Sequence, residues 1–397
     1  MLSINYSSPI VFFLLAALSF LPSCAHKDVK VEEIPAKPWS FYQSGIRHDG
    51  YVETDITPSL GIKWMKPVVA GSRPYAPQEY ASPAASKNVV YFASLRGKGV
   101  SAYKAKTGEL IWHFHVEKGV ESSPAIYENK LFFGANDGYI YSVDAASGKL
   151  VWRYNAGVEI LSSPIAEGGI LFFTASNDIL YALDSVTGDV LWRYKGGSRG
   201  GGIYSIRLTS SPAYNDGMIY VGFSDGSIVA VVAFDGSILW KKKLSKGRGV
   251  RFADIDASPV IDGNVILVSS YDSGFHALDI KNGNTLWKFD ARSSSTPSYD
   301  NTRVYITDSS GKIFALDKKS GAMQWEYVVD EGVPTSTVRV GDFLLFGSSH
   351  NKMYLLKADS GELINTTKAS SGFSASPIYY DEMIYAISNA GYIYALK

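Results

Sequence analysis

The chain has 397 residues, 46% of them apolar and 13% aromatic, which is enough to bury a large core; closed all-β folds of this length form single domains. Lysine plus arginine equals aspartate plus glutamate at 38 each, so no global field draws the molecule to nucleic acid or to an acidic membrane. The single cysteine, Cys24, excludes a disulfide framework, a cysteine-based zinc site and a Cys-Cys redox device.

The first predicted element is an address. Ile10 to Leu21 is an apolar run of twelve residues, short for a bilayer span but suited to the apolar region of a secretory signal. It leads into Leu21-Pro22-Ser23-Cys24, which resembles the bacterial lipobox, where the cysteine is acylated and becomes the new N-terminus. That resemblance implies a signal peptide over 1–23 and a palmitate-type acyl anchor on Cys24. In such lipoproteins an aspartate after the cysteine retains the protein in the inner membrane. Ala25 stands there instead and implies a periplasm-facing lipoprotein of the outer membrane. Residues 24–38 are polar and punctuated by Pro35 and Pro38, the composition of a flexible tether. The folded domain is expected over 39–397.

A repeat of about forty residues organises the remainder. Tyr141-Ser-Val-Asp-Ala-Ala-Ser-Gly-Lys-Leu-Val-Trp152 recurs in segments ending at Trp192, Trp287 and Trp325, and more weakly at Trp112 and Trp240. A copy ending at Asn365 has lost the tryptophan. Each copy follows a Ser-Pro or a near relative, at Pro83, Pro124, Pro164, Pro212, Pro259, Pro297, Pro334 and Pro377, which makes eight units. Within a unit, three alternating stretches and a tryptophan-bearing one are separated by Gly, Asp and Asn turns. The 26 tyrosines, 19 phenylalanines and 37 glycines suit such short strands and tight turns. Four period-2 strands joined in this way form one antiparallel meander, a propeller blade, which must stack on its neighbours to bury its faces. The tryptophan reads as a wedge between blades. The eighth unit stops at Tyr394-Ala-Leu-Lys without an outer strand, whereas Leu60-Gly-Ile-Lys-Trp64 is an outer strand with no blade before it. Pairing the two gives an all-β, eight-bladed β-propeller of four-stranded antiparallel blades, closed by an N-terminal strand that completes the last blade.

The Ala-Leu-Asp-x-x-x-Gly-x-x-x-Trp signature over about 60–397 resembles the quinoprotein-like, PQQ-type propeller repeat. Two branches share it: the PQQ-dependent dehydrogenases, and the BamB lipoproteins of the outer-membrane barrel-assembly machinery. Loop lengths separate them. From repeat tryptophan to the next proline the chain runs from 112 to 124 and from 152 to 164 in the early units, but from 192 to 212 and from 240 to 259 later. Successive long connections emerge side by side on one face, and long loops on a rigid scaffold carry function. Tyr204-Ser-Ile-Arg207 resembles the apolar-x-apolar-Arg stretch before the fourth blade of the BamB family. Arg251-Phe-Ala-Asp-Ile-Asp256 resembles that family's Arg-x-x-Asp-x-Asp stretch before the fifth. The fourth unit's Ala230-Val-Val-Ala-Phe-Asp-Gly236 departs from Ala-Leu-Asp as that family's does. The segment from Trp39 to Tyr51 is similar instead to the wider class of PQQ-type propeller lipoproteins.

The BamB resemblance implies a non-enzymatic scaffold without cofactor, metal or nucleic-acid partner. Its partners would be the POTRA domains of a BamA-like barrel-assembly protein, assembly-machinery lipoproteins and unfolded outer-membrane proteins. Partner-binding residues by that resemblance are Tyr204, Ile206, Arg207, Arg251, Asp254 and Asp256. Asp254 and Asp256 equally suit a turn cap, with Arg251 as a local ion-pair partner. The run Lys241-Lys-Lys with Lys246, Arg248 and Arg251 suits a solvated face, or a surface that steers an acidic partner. A PQQ-binding or other periplasmic ligand-binding propeller is the competing reading. The vicinal cysteines that the dehydrogenases hold against their quinone have no counterpart here. His113 and His115 point the same way on an outer strand without a third ligand, and no nucleophile elbow, P-loop or dinucleotide fingerprint occurs.

Overall fold

A computed structural model describes residues 38–68, 78–197, 209–245, 253–255, 257–291 and 295–397. The lipobox, most of the tether and most of the two long loops lie outside these residues. All regular elements among them are strands, arranged in eight sheets that are the blades of a propeller. Blade 2 shows the plan: an inner strand Ala125–Tyr127, then Lys130–Gly134, Tyr139–Asp144 and an outer strand Leu150–Asn155, each antiparallel to the next. The eighth blade takes three strands from the C-terminal part of the chain and its outer strand, Ile62–Pro67, from the N-terminal part. Ile62 stands opposite Leu396 and Trp64 opposite Ala395, and Lys397 N donates to Gly61 O at 2.8 Å. The expected N-terminal closure is therefore present.

The burial pattern departs from simple alternation. Alternation survives on the outer strands, such as Leu150–Asn155, while the two middle strands of a blade are buried along nearly their whole length. A blade is covered on both faces by its neighbours, so its middle strands have no solvent side. This is why pairs such as Phe132-Phe133 and Phe172-Phe173, which point to opposite faces, are all fully buried. Every outer strand carries a one-residue register shift just before the tryptophan position, for instance between Leu150 and Trp152. Such a bulge twists an exposed edge away from pairing with another chain.

The seven outer-strand tryptophans are wedges. The indole N–H of each donates to a backbone carbonyl of the following blade: Trp64 to Ala105, Trp112 to Ala145, Trp152 to Ser185, Trp192 to Ala233, Trp240 to Ile280, Trp287 to Lys318 and Trp325 to Ala358, at 2.9–3.3 Å. The ring lies on the glycine of that blade's last turn. A Cβ on Gly108, Gly148, Gly188, Gly236, Gly283, Gly321 or Gly361 would fall 2.4–2.8 Å from the indole, and φ there is +66° to +80°. Glycine is required twice over, for the left-handed backbone and for the close approach. The lost tryptophan at Asn365 has its explanation in the same geometry. Asn365 holds the tryptophan register, opposite Leu355, but the blade after it is the closing one. There the third and outer strands come from opposite parts of the chain, so no covalent glycine turn exists for an indole to cover.

The Ser-Pro motif also acquires a role. Ser82 N donates to Ser123 Oγ, Ser123 N to Ser163 Oγ, Ser163 N to Ser211 Oγ, Ser211 N to Ser258 Oγ and Ser258 N to Thr296 Oγ1, at 2.8–3.2 Å. From blade 1 to blade 6, each blade's entry into its inner strand is thus tied to the next by a buried hydrogen bond.

Inner strands leave free amides along the propeller axis, and the segment from Trp39 to Val52 covers them. Trp39 exchanges two backbone hydrogen bonds with Ala85 of blade 1, and Ser40 O accepts from Ile126 N of blade 2. Ile46 O accepts from Tyr214 N of blade 4, Arg47 O from Ile261 N of blade 5 and Gly50 O from Arg339 N of blade 7. Tyr51–Val52 then pairs in parallel with blade 7 as a fifth strand. His48, at the centre of this plug, is fully buried and lies within 3.1 Å of Pro259 O through Nδ1. Burial pushes its pKa down to about 4, against a weaker opposing effect of that carbonyl. Because the folded pKa lies below the ordinary 6.5, the unfolded chain takes up the proton first. The plug is therefore fully stable above pH ~6.5 and loses up to about 3 kcal/mol as pH falls toward 4. His276, also held near 4 by burial, adds to the same trend. In urea titrations at pH 7 and pH 5, His48→Asn should show a smaller stability loss than wild type, since asparagine tolerates the positive φ of 57°. Equal losses in the two proteins would place the proton uptake elsewhere.

Candidate functional site

The two long connections meet at one turn. Gly222-Phe223-Ser224-Asp225-Gly226 links the two middle strands of blade 4, and the described ends of both loops pack on it. At the start of the first loop, a Cβ on Gly196 would lie 2.1 Å from Phe223 and one on Gly197 1.5 Å from the Asp225 carboxylate, so only glycine can pass. At the start of the second, Leu244 N donates to Gly226 O at 2.8 Å. Its returning segment, Ala253-Asp254-Ile255, comes back to the same place: Ile255 N donates to Phe223 O at 3.2 Å, and a Cβ on Gly222 would sit 2.2 Å from Ile255. Ser224 N donates to Asp178 at 3.2 Å, and its hydroxyl to the same carboxylate, which ties the hub to blade 3. Lys241 Nζ lies 3.5 Å from Asp225, so one member of the lysine run is an ion-pair partner at the hub as well as half-solvated.

Among the site residues expected from sequence, Tyr204, Ile206, Arg207, Arg251 and Asp256 lie outside the described residues. Asp254 is described. It is 2% exposed, and its backbone carbonyl accepts from Tyr271 N of blade 5 at 3.0 Å. This residue is set into the root of the loop between blades 4 and 5. The sequence reading missed the hub itself, where the only signal was an Asp-Gly turn like those of other blades. Phe223, fully buried between two loop roots, stands out only in three dimensions.

The described residues enclose an axial cavity of about 300 Å3. Thr209 and Ala257, just after the two loops, line it with the hydroxyl ring of Ser123, Ser163, Ser211 and Ser258. Tyr42 of the plug also lines it, with its hydroxyl 3.2 Å from Ser336 Oγ. The described lining holds two carboxylates, Glu121 and Asp308, and neither lysine nor arginine. Pyrroloquinoline quinone is a tricarboxylate, and this donor set, acidic and without cations, does not fit it.

Comparison with known proteins agrees with the geometry. A family profile described as outer membrane protein assembly factor BamB matches residues 76–327, from blade 1 through nearly all of blade 6. Outer membrane protein assembly factor BamB of Legionella pneumophila is 27% identical over 198 residues, 48% of this chain and 51% of that protein. The Kangiella koreensis protein of the same name is 28% identical over 202 residues, 49% of this chain and 51% of that one. The chain thus spans about half the length of the curated relatives it matches. Among solved structures, BamB from Moraxella catarrhalis superposes with a TM-score of 0.74 at 18% identity, covering 85% of this chain and 99% of that one. Quinohemoprotein alcohol dehydrogenase from Comamonas testosteroni gives 0.76 at 15% identity, covering 90% and 80%. At such identities these likenesses establish the fold alone. The profile match, over more than half of the sequence, places the chain in the family described as outer membrane protein assembly factor BamB.

Proposed function

We propose that the protein is a non-enzymatic scaffold of outer-membrane β-barrel assembly. It would be held at the periplasmic face of the outer membrane by acyl chains on Cys24 and the tether over 24–38. Its partner would be the POTRA region of a BamA-like barrel-assembly protein, with assembly lipoproteins and unfolded outer-membrane proteins nearby. The observation that carries this reading is the convergence of the two long loops on the blade 4 hub, Gly222 to Gly226. A turn with both loop roots fixed to it lowers the ordering cost of presenting the loops whose sequences carry Tyr204, Ile206, Arg207, Arg251 and Asp256. Tyrosine and arginine, which the two loop sequences supply, are residue types that most often anchor a protein-binding patch. Asp254, being buried, serves this patch by fixing the loop.

The test is capture of a purified POTRA-domain protein by the full chain, read as a dissociation constant. Arg207→Ala and Asp256→Ala should each weaken binding about tenfold or more, with melting temperature unchanged. Unaltered affinity in both variants would remove the loop face from the docking surface. Absence of wild-type binding would remove the partner.

A further inference from the structure

The opposite face of the same two blades carries a second, unrelated surface. There the hairpin turns of each blade emerge, and the residue two places before the turn glycine can be compared around the ring: Lys106, Ala146, Val186, Phe234, Lys281, Lys319 and Asp359. Only blades 3 and 4 place large apolar side chains at it. Phe234 is 81% exposed and Val186 57%. Blade 4 also has Val232 where the turns of blades 2, 3, 5 and 6 begin with an aspartate. The turn is held instead by Asp235, which accepts from Ser237 N at 2.9 Å and from its hydroxyl at 2.7 Å. Phe234 therefore stands at the tip of a well-fixed hairpin, with no packing reason to be aromatic.

Its neighbours extend the patch. Trp192, donating to Ala233 O and lying on Gly236, presses the outer strand of blade 3 against the turn that bears Phe234. That strand brings Leu191, 49% exposed, and blade 4 adds Ile238 and Leu239, both more than half exposed. In the hairpin turns of the two blades the charge has one sign. The hairpin turns of blades 3 and 4 carry Glu167, Asp184, Asp189, Asp216 and Asp235, and neither lysine nor arginine; Lys130 of blade 2 and Lys281 of blade 5 bound the arc. The carboxylates of Asp184 and Asp235 are held below the ordinary range, the first by the Thr187 and Val186 amides and the second by Ser237, so they stay charged in mildly acid solution. An anionic lipid surface would be repelled here, whereas a cationic protein segment would be attracted.

We propose that the hairpin face of blades 3 and 4 docks a basic amphipathic segment of a protein partner, which packs an apolar side chain on Phe234 and sets lysines or arginines against the five carboxylates. Phe234 is the anchor, and the acidic ring supplies orientation and selects against acidic segments.

The probe is a short labelled peptide alternating leucine with lysine, compared with its leucine–glutamate counterpart, by fluorescence anisotropy against the full chain. The leucine–lysine peptide should bind and the other should not. Phe234→Ser should weaken binding about tenfold or more, and Glu167→Gln with Asp189→Asn should produce a comparable loss and flatten the salt dependence. Circular dichroism melts should be unchanged, since Phe234 is solvent-exposed. The proposal fails if the leucine–lysine peptide does not bind, if both peptides bind alike, or if Phe234→Ser has no effect. It fails equally if Phe234 instead governs binding to phosphatidylglycerol vesicles, or a self-association seen by sedimentation.

Discussion

Replacing Trp192 by alanine should destabilise the protein by about 3 kcal/mol in urea titration, against less than about 0.5 kcal/mol for Asn365→Ala. The indole fills the space between blades 3 and 4, meets Phe172 at a ring separation of 5.9 Å and donates to Ala233 O at 2.9 Å. Its removal leaves a void that two rigid sheets cannot collapse into, together with an unpaired carbonyl. The reciprocal variant Gly236→Val should be at least as damaging, because it forces a β-branched residue into φ +74° and sets a Cβ 2.8 Å from the ring. The two changes share one contact, so the double variant should lose less than the sum of the singles. Full additivity would show that the glycine is required for its backbone conformation alone. Asn365→Trp should bring no gain, since the closing blade offers no turn for the indole to cover. Stabilisation by that variant would contradict the account of the missing tryptophan.

Deleting Ile62–Pro67 should have the larger effect, driving the chain to aggregate. Without that strand, Tyr392–Leu396 becomes an open edge with a full row of unpaired amides and carbonyls, and the contact of Trp64 with blade 1 is lost as well. An exposed edge of this kind templates pairing with other chains. Size-exclusion chromatography should show loss of the monomer peak, and a synthetic peptide of residues 61–67 added during refolding should restore part of it. Trp64→Ala, which keeps the strand but removes the wedge, separates the two contributions and should remain monomeric with a lowered melting temperature. A deletion variant that stays monomeric with an unchanged melt would mean that the ring does not depend on this closure.

The features legible in sequence were those that repeat. Eight turn-bounded units, the tryptophan wedge and the exchange of an outer strand between the two parts of the chain all rest on local periodicity, and the coordinates reproduce them. What does not repeat was hidden. The path of Trp39 to Val52 is written in backbone hydrogen bonds to five blades, and backbone bonds leave no side-chain pattern. Burial of the middle strands along their whole length is not written in the alternation at Tyr139-Ile-Tyr-Ser-Val143, which reports chemistry along one strand, whereas coverage on both faces is a property of the ring. The hub at Phe223 depends on where two loops return, a tertiary fact. The burial of Asp254 was equally invisible, since a carboxylate beside Arg251 reads the same whether it faces solvent or the loop root. Phe234 lay open to comparison of the repeats, and only its 81% exposure turns a departure from consensus into a surface feature.

The plug carries a consequence for the order of events in folding. Residues 39–52 are made early, yet their hydrogen-bond acceptors wait for donors on blades 1, 2, 4, 5 and 7, the last at Gly341. Contacts so distant in the chain close large loops and raise the contact order, which slows folding. Nascent blades can form in succession from local hairpins, but the axis stays open until blade 7 exists. The segment synthesised first is thus among the last to become ordered, and the deep burial of His48 marks completion of the ring.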